Sequence, residues 1–499
     1  RFTARDFGQN YLLSLEPDAI IFTNGDNDTF PLWYNQEVEG VGTNARVANL
    51  SYLQMGWYVD QMKRQAYESS PLPLSMEAKD YMNGKMDIVY LSPGVPELDF
   101  SLAMDIAKNP KKYSRFNPYR DDEINFIPSK NFHLAVNKDD VVAAGIVTEG
   151  EKELVEDQIR INLNNRSYLG KNDLVIMDLL QNNNWKRPIY FAVTVGSDSY
   201  LGLNPYFSLE GMAYRVIPKV NGVFSRSEQV NIERTYDNLL HKFKWGGIAE
   251  NPDIYLDENN LRMTNTLRFM FLRLTDALMS QNRKIEIEKN FCEVLRVVLT
   301  QNPLEKADPT IVNPFRYLCY NYYNNDRLGR DTKTYPDSLL LAKAPEVAAE
   351  ILKVSAKTPK NELIEKLNKH IAQIDTTANN ALIAENERKA IEALDYCHKV
   401  LPSPQVPYTT ANLMMARQYN ELGEDEKAKN ILAELEKNSK QYLEWFSGLS
   451  PKKLSVVRRE FQEQFEIYSE ILRLYEIMGI EAKPEDYNKF YSIYKVLNQ

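Results

Sequence analysis

Through the first 225 or so residues, short apolar runs alternate with stretches whose apolar positions recur every three or four residues, which predicts layered α/β structure. "DAIIFT" reads as a buried strand. The stretch after it predicts a helix with Phe30, Trp33, Tyr34 and Val38 at the spacing of one face; "ARVANL" then predicts a second strand and "GWYVDQMKRQAYE" a second helix. Strand, helix, strand, helix implies parallel pairing. "KMDIVYL" is a further strand, and "KNDLVIMDLLQNNNWKRPIYFAVTV" predicts a helix capped by Asn172 or Asp173 that leads to a strand from Pro188 to Val195. "YLGLNPYFSLEGMAYRVIP" closes the region. Between about 70 and 150 the pattern is irregular, with "LSPGVPELDF" and "KNPKKYSRFNPYRDD" reading as loops.

Strand signals stop at about residue 261. "NLRMTNTLRFMFLRLTDALMSQ" is helical, with Leu267, Phe271, Leu274 and Leu278 on one stripe. In "LMMARQYNELGEDEKAKNILAEL", Ala416, Tyr419, Leu422, Gly423, Ala428, Leu432 and Leu435 fall at tetratricopeptide-repeat spacing. Ala390, Leu394, Cys397 and Pro402 repeat that register, Ala390 standing 38 residues before Ala428 against a usual period of about 34. "SVVRREFQEQFEIYSEILRLYEIMG" supplies a helix whose apolar stripe closes such a stack. The expected architecture is α/β plus all-α: a Rossmann-like domain with a mostly parallel sheet over 1–225, a linker over 226–260, and a helical tetratricopeptide-like domain over 261–499 with a loop-rich insertion near 300–345.

A chain of 499 residues, 43% hydrophobic with 30 Tyr and 20 Phe, is long enough for two or three cores. Its net charge of −9, with Lys and Arg interspersed among acids as in "ELGEDEKAKNILAELEK", argues against a nucleic-acid partner, which needs a clustered basic face. Cys292, Cys319 and Cys397 lack C-x-x-C spacing, so three free thiols and one bridge both stay open. No stretch approaches the roughly 18 to 20 apolar residues of a membrane-spanning helix. The start at Arg1 rather than Met, without a signal core, leads us to expect a piece of a longer protein.

The segment that draws attention chemically is Asp26-Asn27-Asp28. An Asp-x-Asp pair past the carboxyl end of a parallel strand is placed to bridge a divalent cation to a diphosphate. The simpler account makes Gly25 a tight turn, Asp28 or Thr29 the helix cap, and Pro31 part of the first turn. An EF-hand is excluded because its residue order and distal Glu are absent. His133, His241, His370 and His398 are scattered without metal-ligand spacing, and no Walker loop, G-x-G-x-x-G or G-x-S-x-G elbow occurs. The aromatic groups Trp33/Tyr34, Trp57/Tyr58 and Tyr200/Tyr206/Phe207 fit sugar stacking or a membrane interface, but their helical spacing favours core packing. Arg262 and Arg268 are a candidate anion-binding pair, with salt bridges as the plainer account.

Four blocks, "FTNGDNDTFPLWYNQEVEGVGTNARVANLSYL", "NDLVIMDLLQNNNWKRPIYFA", "YFSLEGMAYRVIP" and "LRMTNTLRF", occur in this order ahead of the repeat-like region. Together they resemble the C-terminal soluble part of a bacterial family of multi-pass membrane proteins of glycosyltransferase-C type, similar to protein O-mannosyltransferases. The likeness covers most of residues 1–290 and 384–440; the stretch from about 300 to 383 departs from it. The resemblance implies that a polytopic domain preceding Arg1 binds a polyprenyl-phosphate sugar and carries the catalytic acid. This chain would then lie on the periplasmic face of a bacterial inner membrane, with that missing domain, an acceptor protein and the membrane surface as its partners and no cofactor. A lipid-phosphate donor requires no metal, which weakens the Asp-x-Asp metal reading. The resemblance transfers no catalytic residue, so Asp26, Asn27 and Asp28 stand as candidates on physical grounds. Three functions follow as expectations: a non-catalytic accessory region that binds acceptor, a metal-dependent sugar-phosphate or diphosphate enzyme using Asp26 and Asp28, and a protein-interaction scaffold.

Overall fold

The computed structural model describes residues 2–119, 124–219, 229–251, 253–301, 376–403, 409–481 and 486–497, with isolated positions between 365 and 373. The chain divides into two compact units. One comprises Arg1–Leu274, Asp395–Arg417 and Asp425–Gln499; the other comprises Thr275–Leu394 and Gln418–Glu424.

The first unit opens with helix α1 (Thr3–Leu13), strand β1 (Ile20–Thr23), helix α2 (Asp26–Glu37), strand β2 (Arg46–Asn49) and helix α3 (Gly56–Met62). Every residue of β1 is buried, as expected of a strand covered on both faces. Strand β9 (Ile189–Ala192), fully buried as well, pairs with β1 on the side opposite β2, and both pairings are parallel. The sheet is completed by β10 (Phe207–Leu209) and β11 (Ala213–Val216), giving the order β10-β11-β9-β1-β2.

The sheet is therefore mixed, not mostly parallel: β11 runs antiparallel to both β9 and β10. The cause is local. Only Glu210, Gly211 and Met212 separate β10 from β11, too few residues for a crossover, and Gly211 takes φ +85° to close the hairpin. Between β2 and β9 the chain builds α4 (Ala78–Tyr81), β3 (Ile88–Leu91), β4 (Leu98–Asp99), α5 (Phe100–Lys108), β5 (Phe126–Ile127), β6 (Asn131–Ala135), α6 (Lys138–Ala143), β7 (Gln158–Asn162), β8 (Tyr168–Gly170) and α7 (Lys171–Asn183). These strands form two small sheets, β5-β3-β8 and β4-β6-β7, each with one parallel and one antiparallel pair. The N-cap of α7 is Gly170, and Asp173 serves from inside the first turn by accepting the Gly170 N–H at 2.9 Å.

Two buried arginines fasten the amino end of the main sheet. Arg46 donates to the carbonyls of Arg64, Ser69 and Ser70, while Arg187 donates to those of Asp18, Ser70 and Pro71. Burial lowers the pKa of both, yet each charge is met by several oxygens. The hairpin turn is fixed similarly. Glu210 is buried, accepts Tyr190 Oη at 2.9 Å and Arg234 Nε at 3.0 Å, and lies 3.8 Å from Arg215. Arg234 belongs to the short helix α8 (Ile232–Asp237), so this cluster ties residues after the hairpin back to the sheet.

Among the described residues from Glu258 on, the elements are all helices. Helix α9 (Glu258–Gln301) buries Leu267, Phe271, Leu274 and Leu278, the stripe expected from the sequence. It is followed by α10 (Thr377–Val400), α11 (Thr410–Glu421), α12 (Asp425–Ser447), α13 (Pro451–Val456), α14 (Arg458–Ile477) and α15 (Tyr487–Leu497). Gly423, at φ +75°, makes the turn between α11 and α12, and Ala416, Tyr419, Ala428, Leu432 and Leu435 are all buried. Leu443, Phe446, Phe461, Phe465, Tyr468 and Phe490 form one core across α12, α14 and α15. Within the second unit, Asn386 donates to Asn282 at 2.9 Å, Asn282 to the Ile383 carbonyl, and Gln418 to Asp276 at 3.0 Å. The insertion expected near 300–345 lies, from 302 on, outside the described residues. Among the described residues no helix is long and apolar enough to cross a membrane.

Burial, opposed by Arg215 and by hydrogen bonds, raises the pKa of Glu210. A carboxyl that holds its proton more tightly when folded contributes most at pH below the ordinary carboxylate range, and that contribution is lost as pH rises through the elevated pKa. Urea unfolding followed across this window should show stability falling with pH, and Glu210→Gln should flatten that slope.

Candidate functional site

Helix α2 is amphipathic with its faces reversed. Its buried residues are Asp28, Thr29, Leu32, Asn35 and Gln36, four of them polar. Phe30 and Tyr34 face outward, 47% and 43% exposed, with Trp33 half-buried between them and Val38 exposed just past the end. The core packing expected of Trp33, Tyr34 and Trp57 is thus not found; Tyr58, Tyr206 and Phe207 are buried as anticipated, and Tyr200 is half-buried. The reversal is stable because each inward polar residue makes at least one hydrogen bond, although Asn35 Oδ1 is buried without a partner among the described residues. Asn35 Nδ2 donates to the carbonyls of Arg5 (2.7 Å) and Pro31 (2.8 Å), and Gln36 Nε2 to those of Gly42 (2.8 Å) and Ala45 (2.9 Å). Gly8 of α1 brings the helices together, since a Cβ there would lie 2.4 Å from the Pro31 carbonyl oxygen.

The helix starts earlier than expected. Gly25 is the N-cap, Asp26 and Asp28 occupy the first turn, where carboxylates complement the helix dipole, and Pro31 lies inside the helix. Asp28 also reaches back, accepting the Asn24 N–H at 3.3 Å.

The carboxyl ends of β1, β2 and β9 meet beneath this turn. Because β1 lies between two parallel neighbours reached in opposite directions, this edge is a topological switch point, where open α/β sheets receive ligands. Thr194, just past β9, donates its hydroxyl to Asp28 Oδ2 at 2.8 Å. With that proton committed, the contact of 3.0 Å between Tyr11 Oη and Thr194 Oγ1 has Tyr11 as donor. Burial raises the Tyr11 pKa, which keeps it protonated for that role. From β2, Asn49 Nδ2 donates to Thr29 Oγ1 (2.8 Å) and the Asn24 carbonyl (3.3 Å), and Thr29 contacts Thr23 Oγ1 at 2.7 Å. Ser51 adds a hydrogen bond of 2.9 Å to Asn24 Oδ1. Asp28, 3% exposed, is therefore the buried hub of a polar network whose outer members, Thr194 and Ser51, are exposed, as are Asp26 and Asn27 above it.

Beside this edge runs a row of rings. Phe30 and Trp33 have centroids 5.8 Å apart and planes 27° apart; Trp33 and Tyr52 follow at 6.0 Å and 25°, and Tyr52 and Trp57 at 6.4 Å. The row is mounted on hydrogen bonds. Tyr52 N–H donates to Asn49 Oδ1 at 2.9 Å, and Gln54 is held by Asn172 and by both the backbone N–H and Nζ of Lys171. Tyr58 Oη accepts the Asn49 N–H at 3.1 Å, with burial pushing its pKa up to about 12.

The structure does not bring Arg262 and Arg268 together. Arg262 pairs with Glu258 on an exposed helix face. Arg268 is 1% exposed, donates to Asn412 (3.3 Å) and the Leu401 carbonyl (3.0 Å), and has its pKa lowered to about 10 by burial. Cys397, next to it, is a buried free thiol raised to about 12, chiefly by burial. Cys319 and His370 lie outside the described residues. His133 sits 3.3 Å from Glu97, His241 contacts the Tyr236 ring and His398 is exposed. Among the described residues no group of three His, Cys, Asp or Glu side chains is placed to hold a metal ion. Sequence reasoning missed Tyr11, Ser51, Tyr52 and Thr194, whose roles depend on tertiary convergence. One signal was available: four polar residues at core spacing between the rings of α2.

Asp28→Ala would strand Thr194 and the Asn24 amide, a loss of about 1 to 3 kcal/mol in chemical denaturation. Asp26→Ala and Asn27→Ala remove exposed groups only, and each should cost less than about 1 kcal/mol.

In comparisons with known proteins, residues 4–234 match the family described as TMEM260-associated domain 2. No curated protein and no solved structure matched the chain.

Proposed function

We propose that this chain is a non-catalytic, extracytoplasmic accessory region of a membrane-embedded glycosyltransferase that draws on a lipid-linked sugar, similar to protein O-mannosyltransferases. The observation that carries the proposal is the reversed α2, which spends its polar residues inside and offers aromatic rings outside, the composition of a recognition surface. The match of residues 4–234 to a TMEM260-associated domain supports the membrane-protein context. The helices around Ala416, Tyr419, Gly423, Ala428 and Leu432 support a tetratricopeptide-like surface for an acceptor protein, with the transmembrane domain as the other partner. On this reading the chain works at the periplasmic face of a bacterial inner membrane. In the full-length protein, deleting residues 1–499 while retaining the membrane domain should abolish or misdirect glycosylation, read by intact-mass spectra of the acceptor. Unchanged products would overturn the proposal.

A second reading keeps Asp26 and Asp28 as a metal-dependent sugar-phosphate site, favoured by an exposed carboxylate at the switch-point edge. It requires a saturable rise in melting temperature with Mn²⁺, Mg²⁺ or Ca²⁺ that Asp28→Asn removes. We expect no shift, because Asp28 already has Thr194 and the Asn24 amide as partners.

A further inference from the structure

We infer that the row Phe30, Trp33, Tyr52 and Trp57 is a binding platform for a neutral oligosaccharide, with Asp26, Asn27 and Ser51 as its hydroxyl-recognising rim. The inference goes beyond the accessory-region reading and stands on the geometry of this surface whether or not that reading holds.

The exposed rings of Phe30 and Trp57 bracket the half-buried Trp33 and Tyr52 in one row. Asp26, Phe30 and Trp33 stand at i, i+4 and i+7, on one outer stripe of α2. Tyr52 extends the stripe from the loop after β2, with its plane 25° from that of Trp33, and Trp57, 58% exposed, ends the row. A pyranose ring is flat and apolar on its C–H faces and polar around its edge. Aromatic faces bind the first feature, and planar carboxylate and amide groups bind the second. Asp26 and Asn27 are exposed and supply a carboxylate and an amide; the exposed Ser51 hydroxyl donates to Asn24 and offers its lone pairs as acceptors.

Charge decides against anionic occupants. No Lys, Arg or His occurs from Asn24 to Ala45 or from Val47 to Met62, whereas Asp26, Asp28, Glu37, Glu39 and Asp60 do. Cations that approach these segments are already paired, Arg5 with Asp6 at 2.7 Å, Lys171 with Asp87 at 2.5 Å and Arg64 with Asp60. A phosphate, a nucleotide or an anionic lipid surface therefore meets no counter-charge here. A neutral polyol does not need one.

The platform is also preorganised. Tyr52 and Gln54 are fixed by Asn49, Asn172 and Lys171, and α2 is fixed by Asp28, Asn35 and Gln36, so binding orders little that is not already ordered.

The test is a titration of the purified chain with neutral mannose-, glucose- and N-acetylglucosamine-based trisaccharides, read by tryptophan fluorescence and saturation-transfer NMR. At least one should give a saturable response, weakened roughly tenfold or more by Trp57→Ala and by Phe30→Ala and reduced by Asn27→Ala. Trp445→Ala, an exposed ring on α12, should leave it unchanged. Thermal melts of the variants identify any that fail to fold, and Trp57→Phe, which keeps an aromatic face, should retain most of the affinity. Absence of response to all three sugar classes would overturn the inference. So would binding to phosphatidylcholine vesicles, or to a proline-rich peptide, that Trp57→Ala abolishes while the sugars stay silent.

Discussion

The hydrogen bond from Thr194 to Asp28, with the contacts that radiate from it, is the constraint on which the site end of this structure depends. A helix normally buries apolar side chains and solvates polar ones. Here α2 docks through Asp28, Thr29, Asn35 and Gln36, and this arrangement holds only because each finds a partner in α1, β1, β2 or a neighbouring loop. An unpartnered carboxylate at that depth would be far more costly than an exposed tryptophan. Satisfying the polar face first is what leaves the aromatic face outward.

The two ends of the main sheet then divide their tasks. At the amino end, Arg46 and Arg187 clamp backbone carbonyls of Arg64 and Ser69–Pro71, an arrangement that holds loops in place. At the carboxyl end, short side chains from three strands converge and leave Asp26, Asn27 and Ser51 at the surface beside the rings. This polarity follows from the parallel pairing of β1 with β2 and β9, which brings three carboxyl termini to one edge.

Much of the fold was legible because its signals are local. "DAIIFT", "ARVANL" and "RPIYFA" are short, apolar and β-branched or aromatic, and they became β1, β2 and β9. The stripe of Leu267, Phe271, Leu274 and Leu278 was equally plain. "YLGLNPYFSLEGMAYRVIP" yielded no strands from its pattern, although a three-residue link around Gly211 makes it the antiparallel hairpin β10–β11, so the sheet was expected to be mostly parallel. Between 70 and 150 only "KMDIVYL", which became β3, was legible; β4 and β5 have two residues each, too few for any alternation to show. The site was half legible. Asp26 to Asp28 stood out as a motif, but which of these residues is buried depends on Thr194 and Tyr11, distant in sequence.

The pairing of β1 with β9 carries a kinetic consequence. The bond from Arg187 to the Asp18 carbonyl joins residues 169 positions apart, and the whole block holding the two small sheets lies between them. Closing so long a loop is entropically slow, so the centre of the main sheet is a late event of folding. During synthesis β1 and β2 leave the ribosome without the strand that covers their other flank, and they wait as an open edge until β9 emerges.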